Sequence, residues 1–301
     1  MPSRAIRDLP FAHSRTPGLG FEMFRLSSLY ARAGRLGHAL DAPQRPEFHT
    51  VYVGIRGRGA LSVDFTRVPI GANTVTVVAR GRVQSFVVDH DVDAWMLLFT
   101  PEFLSTQPGS ADPLVTPVLL ATIGAAPAVA MPRADHAELL ALVAQLDAEQ
   151  ARPPDAYQPW VLSAMLRAVL LRATRRAGAQ PAPAVLGRFF TILDRDCTLT
   201  RSVAHYAKVV GLSPRRLAEL LVAETGKSTK QIIDERVILE HKRLLAHTSL
   251  TIKELAARTG FDEPTNLVKF FRHHTGQTPQ EFRDYVGGNS GRRILPSRRR
   301  S

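Results

Sequence analysis

The chain has 301 residues, 45% hydrophobic and 22% charged, with a net charge of +12 and one cysteine, Cys197. That length holds two ordinary domains, and the composition is that of a globular protein rather than a fibrous or disordered one. A lone cysteine excludes an intramolecular disulfide framework and suits a reducing cytoplasm. No apolar run reaches the ~20 residues that cross a bilayer, and none has signal-peptide form.

The charge is unevenly placed. Residues 184–301 hold 21 Lys+Arg against 12 Asp+Glu, a balance of +9, whereas residues 1–183 hold 18 against 15, a balance of +3. Every lysine lies in the C-terminal part. A basic half joined to a nearly balanced half points to a polyanion partner for the former.

In chain order, residues 1–20 carry three prolines, two glycines and several arginines, and read as a loose arm over the first domain. From about Phe21 to Phe99 short β-rich runs follow one another: FHTVYVGIRG, ALSVDF, NTVTVVARG, VQSFVVD and AWMLLFT. Gly, Pro, Asn or Asp separates them, the pattern of an antiparallel β-barrel or sandwich. A small barrel can enclose one small ligand. His49, Phe65, Gln84, Phe86 and Trp95 are the candidate lining residues, since aromatics supply stacking area and Gln or His supplies orienting hydrogen bonds.

A metal site needs three or four converging ligands. His49 stands without a neighbouring histidine, and His90 with Asp89, Asp91 and Asp93 reads as a polar turn. The expectation is no metal, no cofactor and no catalytic residue; no nucleophile elbow, P-loop or dinucleotide fingerprint appears.

Residues 101–132 are Pro-, Ala- and Thr-rich and read as a connecting segment. Two helices follow. His136–Gln150 carries Leu139, Leu142, Val143 and Leu146 on one stripe. Trp160–Arg176 carries Val161, Met165, Ala168 and Val169 on one face, widened by Leu162, Leu166 and Leu170. An amphipathic stripe says only that something covers it, here the barrel, the other helix or a second copy of the chain. Pro181 and Pro183 mark a linker at 178–183.

The C-terminal part contains an internal repeat. Ser202, Val203, Tyr206, Ala207 and Gly211 match Thr251, Ile252, Leu255, Ala256 and Gly260 at an offset of 49. Leu217, Leu221, Thr225 and Gly226 match Leu267, Phe271, Thr275 and Gly276 at an offset of 50. Each copy reads as helix, glycine turn, helix: Thr251 and Glu254 form a capping box, Gly260 supplies a positive φ, and Asp262 or Glu263 precedes Pro264 at the next helix start. Leu267, Phe270 and Phe271 turn inward and leave Thr265, Asn266, Lys269 and Arg272 outside. In the first copy Ser213 and Pro214 open a helix with Arg215, Arg216 and Glu219 on its outer side. Such faces suit the DNA major groove: Arg pairs with guanine, Asn with adenine, and Glu accepts from cytosine. Arg215, Arg216, Glu219, Thr265, Asn266 and Lys269 are therefore candidate base contacts. Ser213 at its helix N-terminus, Lys230, Lys253, Arg258 and Arg272 are candidate phosphate contacts.

These motifs resemble a known family. LSPRRLAELLVAETGKS, RVILEHKRLLAHTSLTIKELA, GFDEPTNLVKFFRHHTGQTPQEFR and the closing G-x-T-P-x-x-F-R at Gly276–Arg283 resemble the DNA-binding domain of AraC/XylS-type bacterial transcription regulators. The resemblance runs from about Val185 to Val286, a third of the chain. His241 departs from it, since the family pattern has a small residue there. FHTVYVGIRGRG, VDFTRVPIG, RGRVQSF and AWMLLFTPEFL resemble the cupin-like sensor domain at the N-terminus of many such regulators.

The resemblance implies an α+β chain, with a cupin-like antiparallel β-barrel and helical hairpin followed by an all-α domain with two helix-turn-helix motifs. The expected divisions are 1–135 (sensor), 136–177 (hairpin, with dimerisation), 178–183 (linker), 184–286 (DNA-binding) and 287–301 (basic tail). It implies double-stranded DNA and a small-molecule effector as partners, a homodimer, and RNA polymerase for an activator. It implies no membrane and no enzyme activity. The competing reading is a cupin-type metalloenzyme carrying a basic helical domain.

Overall fold

The computed structural model describes residues 6–12, 18–36, 40–87, 91–105, 128–177 and 184–289. They form two compact units, Ile6–Phe190 and the chain from Thr191 onward. The linker 178–183, residues 290–301 of the tail, Asp89 and His90 of the polar turn, and 106–127 of the connecting segment lie outside the described residues. No helix among the described residues is long and apolar enough to cross a membrane.

Among its described residues the first unit holds ten strands: β1 (Arg7–Leu9), β2 (Phe21–Arg25), β3 (Gln44–Pro46), β4 (His49–Arg56), β5 (Arg58–Val63), β6 (Thr66–Gly71), β7 (Thr74–Val78), β8 (Gln84–Val87), β9 (Asp93–Phe99) and β10 (Ala128–Ala130). They make two five-stranded sheets, ordered β1-β3-β8-β5-β6 and β10-β7-β4-β9-β2. Among the described residues every pairing is antiparallel except β1 with β3. The wholly antiparallel expectation is corrected at that edge. β1 comes from the stretch read as loose, and no tight hairpin ties its direction to that of β3.

Helices α1 (Leu26–Leu36), α2 (Pro101–Ser105), α3 (Arg133–Gln150) and α4 (Gln158–Ala177) also belong to this unit. Alternate residues of the second sheet serve two cores. Tyr52, Val78, Ala94, Met96 and Leu98 meet Leu61, Val63, Val68, Ile70 and Phe86 of the first sheet. Met23, Val51, Val53, Val75, Val77, Leu97 and Phe99 meet Leu139, Val143 and Leu146 of α3 and Leu162, Leu166, Val169 and Leu170 of α4. A strand covered on both faces must be apolar on both, which is why Ala94–Phe99 runs AWMLLF without polar alternation.

Four local expectations change. α1 lies in the stretch read as strands only. α2 and β10 occupy the described ends of the segment read as a connection. Asp93 is no turn residue: it opens β9, is buried, and accepts from the amides of Ser27 and Ala94 and from the Arg25 guanidinium. On α4 the buried face is Leu162, Leu166, Val169, Leu170 and Ala173, while Val161 is exposed. α4 is apolar nearly all round, so periodicity alone could not choose its inner face.

The C-terminal helices are α5 (Ala184–Asp196), α6 (Val203–Val210), α7 (Pro214–Thr225), α8 (Thr229–His247), α9 (Ile252–Arg258), α10 (Pro264–Thr275) and α11 (Pro279–Asn289). The division between the units falls within α5. α8 is the shared support: it packs against α6, α7, α10 and α11 and buries Ile233, Val237, His241, Leu244 and Leu245. An ionic chain, exposed at Asp194 and buried at Arg243, holds the last turn of α5 on it. Arg236 Nε reaches Asp194 Oδ1 at 2.6 Å, and Glu240 Oε2 accepts from Arg236 at 3.5 Å and from Arg243 at 3.0 Å. Arg243 is 1% exposed, so Glu240 offsets a cation held in the core.

Candidate nucleic-acid interface

Two helix pairs, α6–α7 and α9–α10, are built from the same local chemistry. Ser202 caps α6 by accepting from His205 N, and Thr251 caps α9 by accepting from Glu254 N. At α9 the box is complete, because the Glu254 carboxylate accepts from Thr251 N at 2.7 Å. Removing such a cap costs about 1 kcal/mol. Gly211 and Gly260 turn the chain with φ of 78° and 69°. At each turn the amide after the glycine bonds a carbonyl five residues back: Leu212 to Ala207 at 2.9 Å and Phe261 to Ala256 at 3.0 Å. An L side chain is strained at that φ.

The second helices then match each other. Leu217 and Leu221 on α7, and Leu267 and Phe271 on α10, are fully buried. Thr225 and Thr275 donate their hydroxyls to the carbonyls of Leu221 and Phe271 at 2.7 and 2.8 Å. Gly226 and Gly276 end the helices at φ of 69° and 77°. The repeat continues further than the sequence reading took it. Ser228 with Gln231 and Thr278 with Glu281 form equivalent caps at the starts of α8 and α11, again 50 residues apart.

The six candidate base-reading side chains are exposed on α7 and α10. Ser213 caps α7 by accepting from Arg216 N at 3.2 Å, with Pro214 at its first position. Arg215 Nε donates to Glu219 Oε1 at 3.1 Å and Arg216 Nη1 to Glu219 Oε2 at 3.2 Å. The Arg215 bond, then the Arg216 bond, holds the Glu219 carboxyl below its ordinary pKa. On α10, Glu263 occupies the cap position without bonding a backbone amide; its carboxylate accepts from Thr265 Oγ1 at 3.1 Å instead. Phe270, expected inside, is half-buried. The Arg201 guanidinium sits 3.6 Å from the Phe261 ring centroid and 5.4 Å from that of Phe270.

Among the phosphate candidates, Lys253, Arg258 and Arg272 are exposed. Lys230 is already engaged, its Nζ 2.6 Å from Asp234 Oδ1. His241 is fully buried. Its Nε2 lies 2.9 Å from Thr259 Oγ1, and its ring is set among Phe261, Phe270 and Phe271.

The five candidate effector residues divide. Gln84 and Phe86 lie between the sheets with Tyr52 and Tyr30; Tyr52 donates its hydroxyl to Gln84 Oε1 at 3.5 Å. Burial first, then the Tyr30 hydroxyl, raises the Tyr52 pKa. Trp95 packs on the opposite face, toward α3 and α4, under the Arg25 guanidinium. Phe65 is 44% exposed at the β5–β6 turn. His49 stacks on Phe99, and its Nδ1 accepts from Arg80 N at 3.3 Å. Tyr30 and Tyr52 are not among the expected lining residues; the alternation that puts Gln84 and Phe86 on one face carries no information on which residues of β4 face them. Among the described residues no three His, Cys, Asp or Glu side chains are grouped to hold a metal ion.

Residues 206–285 match a family described as a helix-turn-helix domain. The chain is 32% identical over 87 residues to the HTH-type transcriptional activator RhaR of Cronobacter sakazakii, covering 29% of this chain and 31% of that protein. It is 33% identical over 81 residues to the arabinose operon regulatory protein of Escherichia coli, covering 27% and 28%. The chain thus spans about a third of the length of these curated relatives. Among solved structures, that of ToxT from Vibrio cholerae with a bound unsaturated fatty acid aligns over 80% of this chain and 88% of that one, at 14% identity and a TM-score of 0.39.

Proposed function

We propose that this chain, whose C-terminal part is an AraC-type helix-turn-helix domain, is a sequence-specific regulator of transcription that reads duplex DNA through two helix-turn-helix motifs, α6–α7 and α9–α10. One observation carries the reading. The two pairs repeat cap, turn, buried positions and closing glycine, and each leaves a polar helix face exposed near its N-terminus. Two reading helices on one support suit two successive major-groove segments, about 10 bp or 34 Å apart. Arg215 and Arg216 serve one segment, and Thr265, Asn266 and Lys269 the other; Ser213, Lys253, Arg258 and Arg272 hold phosphate.

The N-terminal unit is, in this reading, a cupin-like barrel for a small effector. The buried Tyr52–Gln84 pair between Tyr30 and Phe86 supports a ligand with an apolar or aromatic body and one hydrogen-bonding group. The outer face of α4 supports a homodimer: Trp160, Val161 and Leu171 are exposed on a helix whose opposite face is already covered.

In vitro selection from a random duplex library with the whole chain tests the proposal. Enrichment of two short half-sites with centres one helical turn apart is expected. Failure to enrich any sequence, with no affinity even at low salt, would overturn it.

A further inference from the structure

The repeat is nearly symmetric in its scaffold and asymmetric in the charges of its reading faces. At an offset of 50, Arg215, Arg216 and Glu219 on α7 stand where α10 has Thr265, Asn266 and Lys269. The α7 face thus carries two cations and one carboxylate, and the α10 face two neutral groups and one cation. Two arginines in the first turn of α7 are badly placed on their own, because a helix N-terminus already carries positive potential. The first turn contains no acidic residue to offset them.

Glu219, one turn on, meets both, and each carboxylate oxygen takes one guanidinium: Arg215 Nε at 3.1 Å and Arg216 Nη1 at 3.2 Å. A carboxylate bridging two guanidiniums is committed to the protein's own cations before any base is met. It also holds a negative charge on a surface meant to approach phosphates.

We propose that Glu219 is a positioning residue for sequence discrimination: it holds Arg215 and Arg216 away from the phosphate backbone and releases them to guanine. The proposal rests on the DNA reading above. Guanine O6 and N7 offer an arginine two acceptors in one plane, matching the guanidinium fork. A phosphate takes the same fork but carries a full negative charge, which the neighbouring Glu219 carboxylate repels, whereas the guanine edge is neutral and meets no such repulsion. The counter-ion therefore suppresses binding to random sequence more than binding to the operator, and it raises the ratio between them.

Glu219→Gln in the whole chain tests this, because it keeps the side-chain shape and removes the charge from an exposed position. Affinity for the selected operator and for random duplex is measured across salt concentrations, with thermal unfolding alongside. Freed arginines that gain one or two phosphates should tighten random-sequence binding by about tenfold per phosphate at 0.1 M salt, and should steepen the log K–log salt slope by about 1 to 2. Operator affinity should change less, so the specificity ratio falls. Glu219→Asp, which keeps the charge, should stay near the wild-type ratio. In an Arg215→Ala, Arg216→Ala background, Glu219→Gln should no longer steepen the slope.

Three results would overturn the proposal while leaving the DNA reading intact. One is an unchanged random-sequence affinity and slope with altered preference at a single base pair, which makes Glu219 a cytosine reader. Another is an equal loss on both DNAs. The third is the same steepening in the arginine-less background. Absence of wild-type binding to any duplex at low salt would instead overturn the DNA reading itself.

Discussion

Protonation of His241 should destabilise the C-terminal unit in a pH window of its own. His241 is fully buried, with Nε2 2.9 Å from Thr259 Oγ1. Thr259 uses its hydroxyl hydrogen on the Leu255 carbonyl at 2.7 Å, so its oxygen accepts from the ring and the ring carries its proton on Nε2. Nδ1 then has no partner among the described residues. A second proton would place an unsolvated N–H among Phe261, Phe270 and Phe271. Burial first, then the charge of Arg201, lowers the His241 pKa from 6.5 to about 4, against a smaller opposing pull from Glu240. Because the folded value lies below the unfolded one, the unfolded chain binds the proton better. The stability contributed by neutral His241 is complete above pH 6.5 and is lost as pH falls toward 4. At about 1.4 kcal/mol per unit, that depression corresponds to about 3 kcal/mol in all, of which about 2 kcal/mol falls between pH 6 and 4.5. The assay is urea unfolding of residues 184–301 followed by circular dichroism, since both tryptophans, Trp95 and Trp160, lie outside that fragment. His241→Gln offers Thr259 an amide N–H at similar reach and does not titrate. Comparing the two proteins cancels the carboxylates. The wild type should lose about 2 kcal/mol more than the variant over that interval, and parallel pH profiles would refute the argument.

Residues 184–301 should bind duplex DNA alone, and with six to eight phosphates engaged log K should fall against log salt with a slope of about −5 to −7; a slope near zero removes the electrostatic basis of the reading. Asn266→Ala should weaken operator binding by about 1–3 kcal/mol and relax preference at one base pair, whereas Lys253→Ala should weaken all sequences alike, both read on a randomised operator library. Trp160→Glu with Val161→Glu should dissociate a dimer in sedimentation without lowering the unfolding midpoint; an unchanged sedimentation coefficient places the dimer contact elsewhere or nowhere on α4.

The first unit was legible in most of its strands and illegible in its faces. Short runs between Gly, Pro and Asn located β4, β5, β7, β8 and β9, because turn chemistry is local, while β6, with Pro69 in its middle, was not among them. AWMLLF could not say whether Trp95 or Met96 pointed between the sheets, since helices cover the other face and both registers are apolar. That is why Trp95 entered the candidate effector set while Tyr52 and Tyr30 did not. The same ambiguity misplaced Val161 on α4. By contrast α1 was missed despite a readable signal, Leu26, Leu29 and Tyr30 at helical spacing within LSSLYARAGRL.

The C-terminal unit was legible because its information is carried by caps and turns rather than by packing. Thr251 with Glu254, and the glycines at 211 and 260, act on backbone groups within five residues, so a sequence fixes them without knowledge of the neighbours. Exposure of Thr265, Asn266 and Lys269 followed from burial of Leu267 and Phe271 one helical face away. What the sequence withheld is chemistry that joins distant segments. Arg201 lies 60 residues before Phe261, and nothing local marks it as a cation for that ring. His241 stood out only as a large residue where a small one was expected; its bond to Thr259, the last residue before the turn glycine, depends on how α9 docks on α8. That bond also gives the misfit a purpose. The ring fills the space beside Phe270 and Phe271 of α10 and fixes the residue from which the α9–α10 turn departs. The placement of α10 is therefore set from inside the support helix, at the position where the chain departs from the AraC/XylS-type pattern it resembles.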